Sequence, residues 1–206
     1  MSVNIPEIQS VADAINDAIA GAGVLVIENE NPSGQHSLLF QNEHAVACAR
    51  WLKQESPWKL DYLSNVTGID WTEDALKVKF GKDAEPEETR GFLESVYHLY
   101  SMEAPVGPLV FRTRTGNRSD DVSLPSMTPV WRSAELQERE IFDLYGIHFK
   151  GHPDLRRLMM WDSFKGHPMR KDYVEPDDYE YEPTPHADVL KKSAAHQNPP
   201  AKGGDQ

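Results

Sequence analysis

The side chains of this sequence that could do chemistry are concentrated between Glu138 and Tyr173. A carboxylate such as Glu138 or Asp143 could act as a general acid or base, with His152 as its partner, but that chemistry needs a cleft and a second tuned group. The stretch has no glycine loop to cradle phosphate, no cysteine cluster and no nucleophile beside a base. Many turn and charge signals without catalytic parts favour a protein that docks onto a partner.

The helix predicted at residues 130–145 places its charged side chains at different positions around its axis. At about 100° per residue, Glu138 falls in the middle of an apolar stripe. Arg139 and Asp143 lie together on one flank, four residues apart, where an ion pair could form. Glu140 points to the opposite side, so the three charges of the Glu138–Glu140 triplet are not equivalent.

Three interpretations of Glu138 stay open at this point. The first is a half-exposed glutamate that the apolar stripe tolerates. The second is a structural ion pair with Arg156 or Arg157, which are the nearest basic residues of the following segment. The third is a catalytic acid or base, and a buried carboxylate of either kind needs a partner or a shifted pKa.

Two turns of similar chemistry follow the helix, Gly151-His152-Pro153 and Gly166-His167-Pro168. Glycine supplies an unusual φ and proline a fixed one, so both triplets predict tight turns. His148 lies four residues before the first of these histidines, a spacing that suits a metal only on a helix, and the glycines and prolines oppose a helix here. We expect the histidines to bond to local backbone rather than to a metal.

Residues 146–173, called the basic segment below, form the net-basic block of an acidic chain. The segment holds six basic and three acidic residues, whereas the whole chain has a net charge of −12. The pairs Arg156-Arg157 and Arg170-Lys171 could bind phosphate or carboxylate, and carboxylates of this chain or a neighbour are the favoured ligands. Asp154 and Asp172, next to these pairs, are candidates for orienting them.

Composition excludes several classes of protein. So acidic a chain is a poor binder of nucleic acid, which requires clustered basic side chains. The apolar runs are far shorter than the ~18 residues of a membrane span, and the N-terminus does not look like a secretory signal. The single cysteine, Cys48, excludes an internal disulfide framework or a cluster held by this chain alone and favours a reducing, cytoplasmic-type compartment.

The order of the predicted elements indicates an α+β fold: a small mixed or antiparallel sheet with helices packed on one side, followed by an extended C-terminal tail. The predicted organisation is an α+β domain at 1–145, the basic segment and a tail at 174–206. The expected helices and strands lie at 6–20 (helix), 24–28 and 37–41 (a strand hairpin), 43–55 (helix), 59–71, 75–80, 91–102 and 109–115 (strands) and 130–145 (helix).

The motifs of this region resemble the signature of the C subunit of NADH-quinone oxidoreductase, which forms the 30 kDa subunit family of respiratory complex I. The resemblance rests on the Glu138–Glu140 triplet followed by Asp143–Ile147, on Gly151–Arg157 and on Gly166–Tyr173. Leu136 stands where an aromatic residue is common and Met169 where leucine is common. Both changes keep an apolar side chain and affect nothing functional.

The resemblance implies a structural and assembly subunit of a proton-translocating complex that passes electrons from NADH through FMN and iron–sulfur clusters to quinone. It implies no cofactor and no catalytic or metal-ligating residue in this chain, peripheral attachment at the cytoplasmic face of the cell membrane, and homologues of the B, D and I subunits as partners. The residues expected at partner interfaces or in structural roles are Glu138, Arg139, Glu140, Asp143, Gly151, His152, Pro153, Asp154, Arg156, Arg157, Arg170, Lys171 and Asp172.

Three alternatives remain beside this one, and one of them is a generic binding module, which would be a stable monomer with a single soluble partner. Related membrane-bound hydrogenases and ferredoxin- or F420-type dehydrogenases contain an equivalent subunit, and the electron-input subunits that co-purify would separate them from complex I. A stand-alone acid–base enzyme would instead turn over a substrate as a purified chain.

Overall fold

A meander of three antiparallel strands forms one side of a five-stranded mixed sheet in the computed structural model, in the order β1-β2-β5-β4-β3. Strand β2 adds to β5 in parallel, and β1 pairs with β2 in antiparallel. The structure describes residues 7–29, 35–81, 85–104, 106–120 and 122–174. The strands are β1 (Leu25–Ile27), β2 (Ser37–Leu39), β3 (Tyr62–Trp71), β4 (Phe92–Tyr100), β5 (Leu109–Arg114), β6 (Ser123–Pro125) and β7 (His148–Lys150), and the helices are α1 (Ile8–Ala18), α2 (Ala45–Gln54), α3 (Glu73–Phe80) and α4 (Ala134–Tyr145).

One face of the sheet carries the hydrophobic core. Alternate residues of the central strands point into it, and Tyr97 of β4 stacks on Phe111 of β5 with ring centroids 4.5 Å apart. Phe40 stacks on the other side of Phe111 at 4.6 Å. Helices α1, α2 and α4 cover this face with their own buried side chains. The predicted α+β fold with a mixed sheet is therefore confirmed.

Most predicted elements are found close to their expected positions. The strand hairpin, the strands at 59–71, 91–102 and 109–115 and the three long helices all form. The short parallel pair of β6 and β7 was not predicted, because each strand has three residues and lies in a turn-rich stretch. The described residues up to Tyr173 belong to one compact unit, and the predicted division at residue 145 stays a prediction.

The strand predicted at residues 75–80 is wrong, because this stretch is helix α3. Thr72 caps the helix by accepting the backbone N–H of Ala75 at 3.2 Å, two acidic residues occupy the first turn, and Gly81 ends it at a φ of 98°. Leu76 and Phe80 lie four apart on one side of the helix, while Val78 is almost fully exposed. In so short a window, period-two alternation does not distinguish a strand from one helical turn.

The C-terminal tail that the sequence predicts lies, apart from Val174, outside the residues that the structure describes. Within the described residues, no helix is long and apolar enough to cross a bilayer.

Helix α4 covers the edge strand β3 and satisfies several of its backbone groups. The side chain of Gln137 accepts the N–H of Val66 at 2.7 Å, and the Ser133 hydroxyl donates to the carbonyl of Leu63 at 3.2 Å. A β-bulge near Leu63 interrupts the ladder. These contacts occupy an edge that would otherwise be open to further strands.

Gly68 lets the last turn of α4 approach the sheet. A Cβ atom at this position would lie 2.6 Å from Cδ2 of Tyr145, closer than real contacts allow. The hydrogen of Gly68 therefore makes room for the Tyr145 ring, which sets the distance between β3 and the C-terminal end of α4.

We expect Gly68→Ala to destabilise the protein by about 1 to 3 kcal/mol, because the added methyl group displaces the Tyr145 ring from a packed site. Urea unfolding of the wild type and the variant measures this. In a Tyr145→Ala background the same substitution should cost much less, and an equal cost in both backgrounds would contradict the steric explanation.

Candidate interaction site at the end of the last helix

Glu138 is fully buried in the core beneath α4, and neutral donors bind it. Its Oε2 accepts from the Ser126 hydroxyl at 2.6 Å, and its Oε1 accepts from the N–H of Met127 at 2.7 Å. The Tyr97 hydroxyl also donates to Oε1, at a longer 3.4 Å. The half-exposed interpretation is therefore wrong.

The predicted ion pair between Glu138 and Arg156 or Arg157 is also wrong, because those guanidinium groups bind Asp154 and Asp143 instead. Burial raises the pKa of the Glu138 carboxyl to about 7, and the hydrogen bonds from Ser126, Met127 and Tyr97 only partly offset that effect. Solvent does not reach this carboxyl, so the site lacks the open cleft that acid–base catalysis needs.

Asp143 is the second fully buried carboxylate of α4 and has the densest set of donors. Its Oδ1 accepts from Nη1 of Arg157 at 2.6 Å, and its Oδ2 accepts three successive backbone N–H groups, those of residues 158–160, at 2.7–2.9 Å. Burial alone would raise the pKa of Asp143, but the N–H of Met160, the Arg157 guanidinium and the other two N–H groups together lower it.

Arg139 does not pair with Asp143 as the helical wheel predicted. Its Nε and Nη2 donate to the carbonyl oxygens of Arg156 and Arg157, both at 3.2 Å, and its Nη1 lies 3.7 Å from Asp154. Asp143 binds Arg157 instead, because the basic segment folds back onto α4 and supplies partners to both residues. Helix spacing alone therefore gave the wrong partner for both residues.

Two of the three histidines of the basic segment, His152 and His167, bind backbone groups with their side chains. Nε2 of His152 lies 2.9 Å from the carbonyl oxygen of Glu135, and its Nδ1 accepts the N–H of Asp154 at 3.1 Å, which requires a proton on Nε2. Nδ1 of His167 lies 2.9 Å from the carbonyl oxygen of Asp143, and burial lowers the pKa of this histidine. Among the described residues no group of three or more His, Cys, Asp or Glu side chains is placed to hold a metal.

The first basic pair is neutralised within the chain. Nε of Arg156 donates to Asp154 at 2.9 Å, so Asp154 binds one member of this pair, whereas Arg157 binds Asp143. Besides its bond to Asp143, Arg157 donates from Nη2 to the carbonyl of Gly166 at 3.1 Å and lies over the Phe164 ring.

In the second basic pair, this chain binds the side chain of Arg170 but only the backbone of Lys171. Arg170 donates to the carbonyl oxygens of Tyr145 and Arg118 at 2.7 and 3.0 Å, while Lys171 uses its backbone N–H. Asp172 binds Arg118 at 3.2 Å, so it does not orient Arg170-Lys171 as predicted. The remaining predicted residues, Glu140, Gly151 and Pro153, are exposed.

Asp70 is a structural anchor that the sequence analysis missed. It accepts both a bidentate pair of bonds from Arg118, at 2.6 and 2.7 Å, and the N–H of Lys171 at 2.8 Å. Burial would raise the pKa of Asp70, but these bonds lower it. The sequence contained one signal for Asp70, namely its position on β3. Asp70 continues the alternation that points Val66 and Gly68 inward.

Four large apolar side chains of the basic segment stay in solvent after these contacts are made, and we call them the apolar patch. Their exposed fractions range from 39% to 61%. The patch is formed by Leu158, Met159, Trp161 and Met169. The region therefore combines buried acids, paired arginines and exposed apolar groups.

We expect Asp143→Asn to lower the free energy of unfolding by about 3 to 5 kcal/mol, because it leaves Arg157 without its buried partner and turns an amide N–H₂ toward backbone donors. Amide hydrogen exchange at residues 158–160 should accelerate as well. Asp154→Asn is the matched control, since that pair is exposed to solvent and should contribute much less to stability. Equal effects of the two substitutions would contradict the anchoring role of Asp143.

We expect Glu138→Gln to remove a pH dependence of stability. Because the folded pKa of Glu138, about 7, exceeds the ordinary carboxyl value of 4.5, the folded state binds the proton more tightly, and stability falls as pH rises between those values. The full loss is about 3 kcal/mol or less. Urea unfolding between about pH 5 and pH 8 should show a flatter profile for Glu138→Gln than for the wild type, whereas exposed Glu140→Gln should keep the wild-type slope.

Comparisons with known proteins show the family of this chain. The family described as the respiratory-chain NADH dehydrogenase 30 Kd subunit matches residues 38–179. The NADH-quinone oxidoreductase C subunit numbered 2 of Rhizobium meliloti (strain 1021) is 37% identical over 158 residues, 76% of each chain. The C/D subunit of NADH-quinone oxidoreductase from Phocaeicola vulgatus is 40% identical over 124 residues, which are 60% of this chain but 20% of that longer one.

A solved chain of an archaeal respiratory membrane complex, the membrane-bound sulfane sulfur reductase, has the same fold. The TM-score is 0.56 at 16% identity, and the match covers 96% of this chain and 95% of that one. The family match over residues 38–179 and the identity to the C subunit of Rhizobium meliloti decide the assignment: this chain belongs to the 30 kDa subunit family of the respiratory-chain NADH dehydrogenase, complex I.

Proposed function

We propose that this chain is a structural and assembly subunit of a proton-translocating NADH:quinone oxidoreductase, and that it takes no part in the chemistry itself. The observation that carries the proposal is the use of the signature charges. Glu138 and Asp143 are buried without access to solvent, and Asp143 uses its hydrogen bonds to hold the basic segment against α4. An acid–base enzyme would need these groups in a cleft.

The three candidates for a stand-alone active site do not act together. Glu138 binds Ser126 and the N–H of Met127, Asp143 binds Arg157 and three N–H groups, and His152 uses both ring nitrogens on backbone groups. Each has its own set of partners, so no pair of them forms the coupled acid and base that catalysis would require.

The electron-transfer cofactors of the complex, FMN, iron–sulfur clusters and quinone, would be held by partner subunits. Iron–sulfur ligation takes several cysteine thiolates, whereas this sequence has one cysteine. Cys48 is fully buried in α2, and burial raises the pKa of its thiol to about 11. A thiol in that environment is a poor ligand and a poor nucleophile.

The proposed partners are the neighbouring subunits of the peripheral arm, homologues of the B, D and I subunits, at the cytoplasmic face of the membrane. The relative of Phocaeicola vulgatus carries both the C and the D designation in one chain, which supports the D homologue as a direct neighbour. A chain that stays bound to such a neighbour gains from a rigid binding surface, because less chain entropy is lost on binding. The basic segment, which is fixed at the end of α4, would supply that surface.

Co-purification tests this function. The tagged full chain, isolated from native membranes in mild detergent, should bring down iron–sulfur and membrane subunits together with NADH:quinone oxidoreductase activity. Recovery of hydrogenase or ferredoxin-oxidising subunits instead would assign the chain to a related complex, a distinction that the shared fold cannot make. A chain recovered alone that turned over a substrate, and lost that turnover in Glu138→Gln, would overturn the proposal.

A further inference from the structure

Two hydroxyl groups connect the buried carboxyl of Glu138 with the surface of the protein. Oε2 of Glu138 lies 2.6 Å from Oγ of Ser126, and Oγ of Ser126 lies 2.7 Å from Oγ1 of Thr128. Ser126 is 1% exposed, whereas Thr128 is only partly buried. Both distances are those of O–H···O hydrogen bonds, so the three groups form one continuous path between the core and solvent.

The hydrogen bonds of Ser126 are complete whether or not Glu138 carries a proton. A hydroxyl group has one hydrogen to donate and two lone pairs that accept. Beside a charged Glu138, Ser126 donates to Oε2 and accepts from the hydroxyl and from the backbone N–H of Thr128, the latter at 3.2 Å. Beside a protonated Glu138, Ser126 accepts from the carboxyl and from the same N–H, and it donates to Oγ1 of Thr128. The two states differ in the direction of these O–H···O bonds and leave no group of Ser126 unpaired.

The donors around Glu138 direct a proton to Oε2. Oε1 accepts from the backbone N–H of Met127 at 2.7 Å and from the Tyr97 hydroxyl at 3.4 Å. Burial and the charge of Glu138 raise the pKa of Tyr97 well above its usual value, so the phenol keeps its hydrogen. Burial also raises the pKa of Glu138 to about 7, which makes both protonation states accessible near neutral pH.

Other charged and titratable groups on the elements packed against Glu138 are bound to partners of their own or exposed. Within the described residues none of them is hydrogen-bonded to Glu138. The groups concerned are Asp70 of β3, Glu94 of β4, His148 and Lys150 of β7, and Arg139 and Asp143 of α4. The protonation of Glu138 is therefore governed by burial and by neutral donors.

The segment that carries the two hydroxyl groups is held in place by backbone hydrogen bonds. The N–H of Ser126 donates to the carbonyl of Lys150 on β7 at 2.9 Å, and the carbonyl of Met127 accepts from the N–H groups of Val130 and Trp131, both at 2.9 Å. The segment between β6 and α4 is thus fixed on both sides. A proton can follow the path without any rearrangement of the backbone, because the oxygen atoms already lie at transfer distance.

We propose that Glu138 is a proton-binding site in the core of this protein, and that Ser126 and Thr128 carry the proton between this site and solvent. In the uptake step a hydronium ion gives a proton to Oγ1 of Thr128, the hydrogen of Thr128 moves to Oγ of Ser126, and the hydrogen of Ser126 moves to Oε2 of Glu138. Each oxygen along the path gains one O–H bond as it loses another, so the products are water and a neutral carboxyl. The inference is independent of the proposed function, because it concerns the fold of this chain alone.

Infrared difference spectroscopy of the purified full chain tests the site. When the pH is lowered from about 8 to about 5, the C=O stretch of a protonated, buried carboxyl should appear in the wild type and be missing in Glu138→Gln. A wild-type spectrum identical to that of Glu138→Gln would overturn the proposal.

Deuterium exchange in the wild type tests the path without any substitution. After transfer to D₂O, the carboxyl of Glu138 should exchange its hydrogen many-fold faster than the backbone N–H of Met127, because a buried amide exchanges only when the structure opens locally. Equal rates would mean that the proton enters through such an opening, and the path through Ser126 and Thr128 would be wrong.

Substitution of Thr128 tests the same path by kinetics. After a rapid drop in pH, Thr128→Val should slow the appearance of the carboxyl band by about tenfold or more, since the path loses its outer hydroxyl. Thr128→Ser keeps a hydroxyl and should retain the wild-type rate. Ser133→Ala is the matched control, because the Ser133 hydroxyl lies off the path and donates to the carbonyl of Leu63. A wild-type rate in Thr128→Val, or an equal slowing in Ser133→Ala, would contradict the path.

Discussion

The hydrogen bonds to the buried carboxylate of Asp143 are the interaction on which the rest of the region depends. A helix C-terminus repels negative charge, so an acid in the last turn of α4 needs strong local donors. Arg157 and the N–H groups of residues 158–160 provide them. Because those donors come from the chain beyond the helix, their bonds determine the path of that chain and the side chains that it leaves in solvent.

The buried acids of this protein are of two kinds. Asp143 and Asp70 each have an arginine and at least one backbone N–H group as partners, which outweigh burial and lower both pKa values. Glu138 has only neutral donors, so burial dominates and its pKa rises to about 7. The first kind keeps distant segments together at all ordinary pH values, as Asp70 does for Arg118 and Lys171. The second kind makes the core sensitive to proton concentration near neutrality.

Periodicity predicted structure well where one side of a long element is buried. The alternation in β5 put Phe111 and Arg112 on opposite faces, and the structure agrees, with Phe111 in the core and Arg112 bound to Glu94 on the other face. Periodicity failed for α3, where a window of six residues fits a strand as well as a helix. The capping side chain of Thr72 and the acidic first turn that follows it were the stronger signals in that window.

By itself, the sequence determined the three long helices and the five strands of the main sheet, that Glu138 lies on the apolar side of α4, and which family the signature belongs to. Only the tertiary structure decided which base meets which acid, pairing Arg157 rather than Arg139 with Asp143, and Arg118 with Asp70. The physical reason is the separation along the chain between the residues that interact. Periodicity describes neighbours on one helix or strand, whereas these ion pairs join segments whose separation depends on how the whole chain folds. The apolar patch could be recognised only after those pairs had accounted for the charges around it.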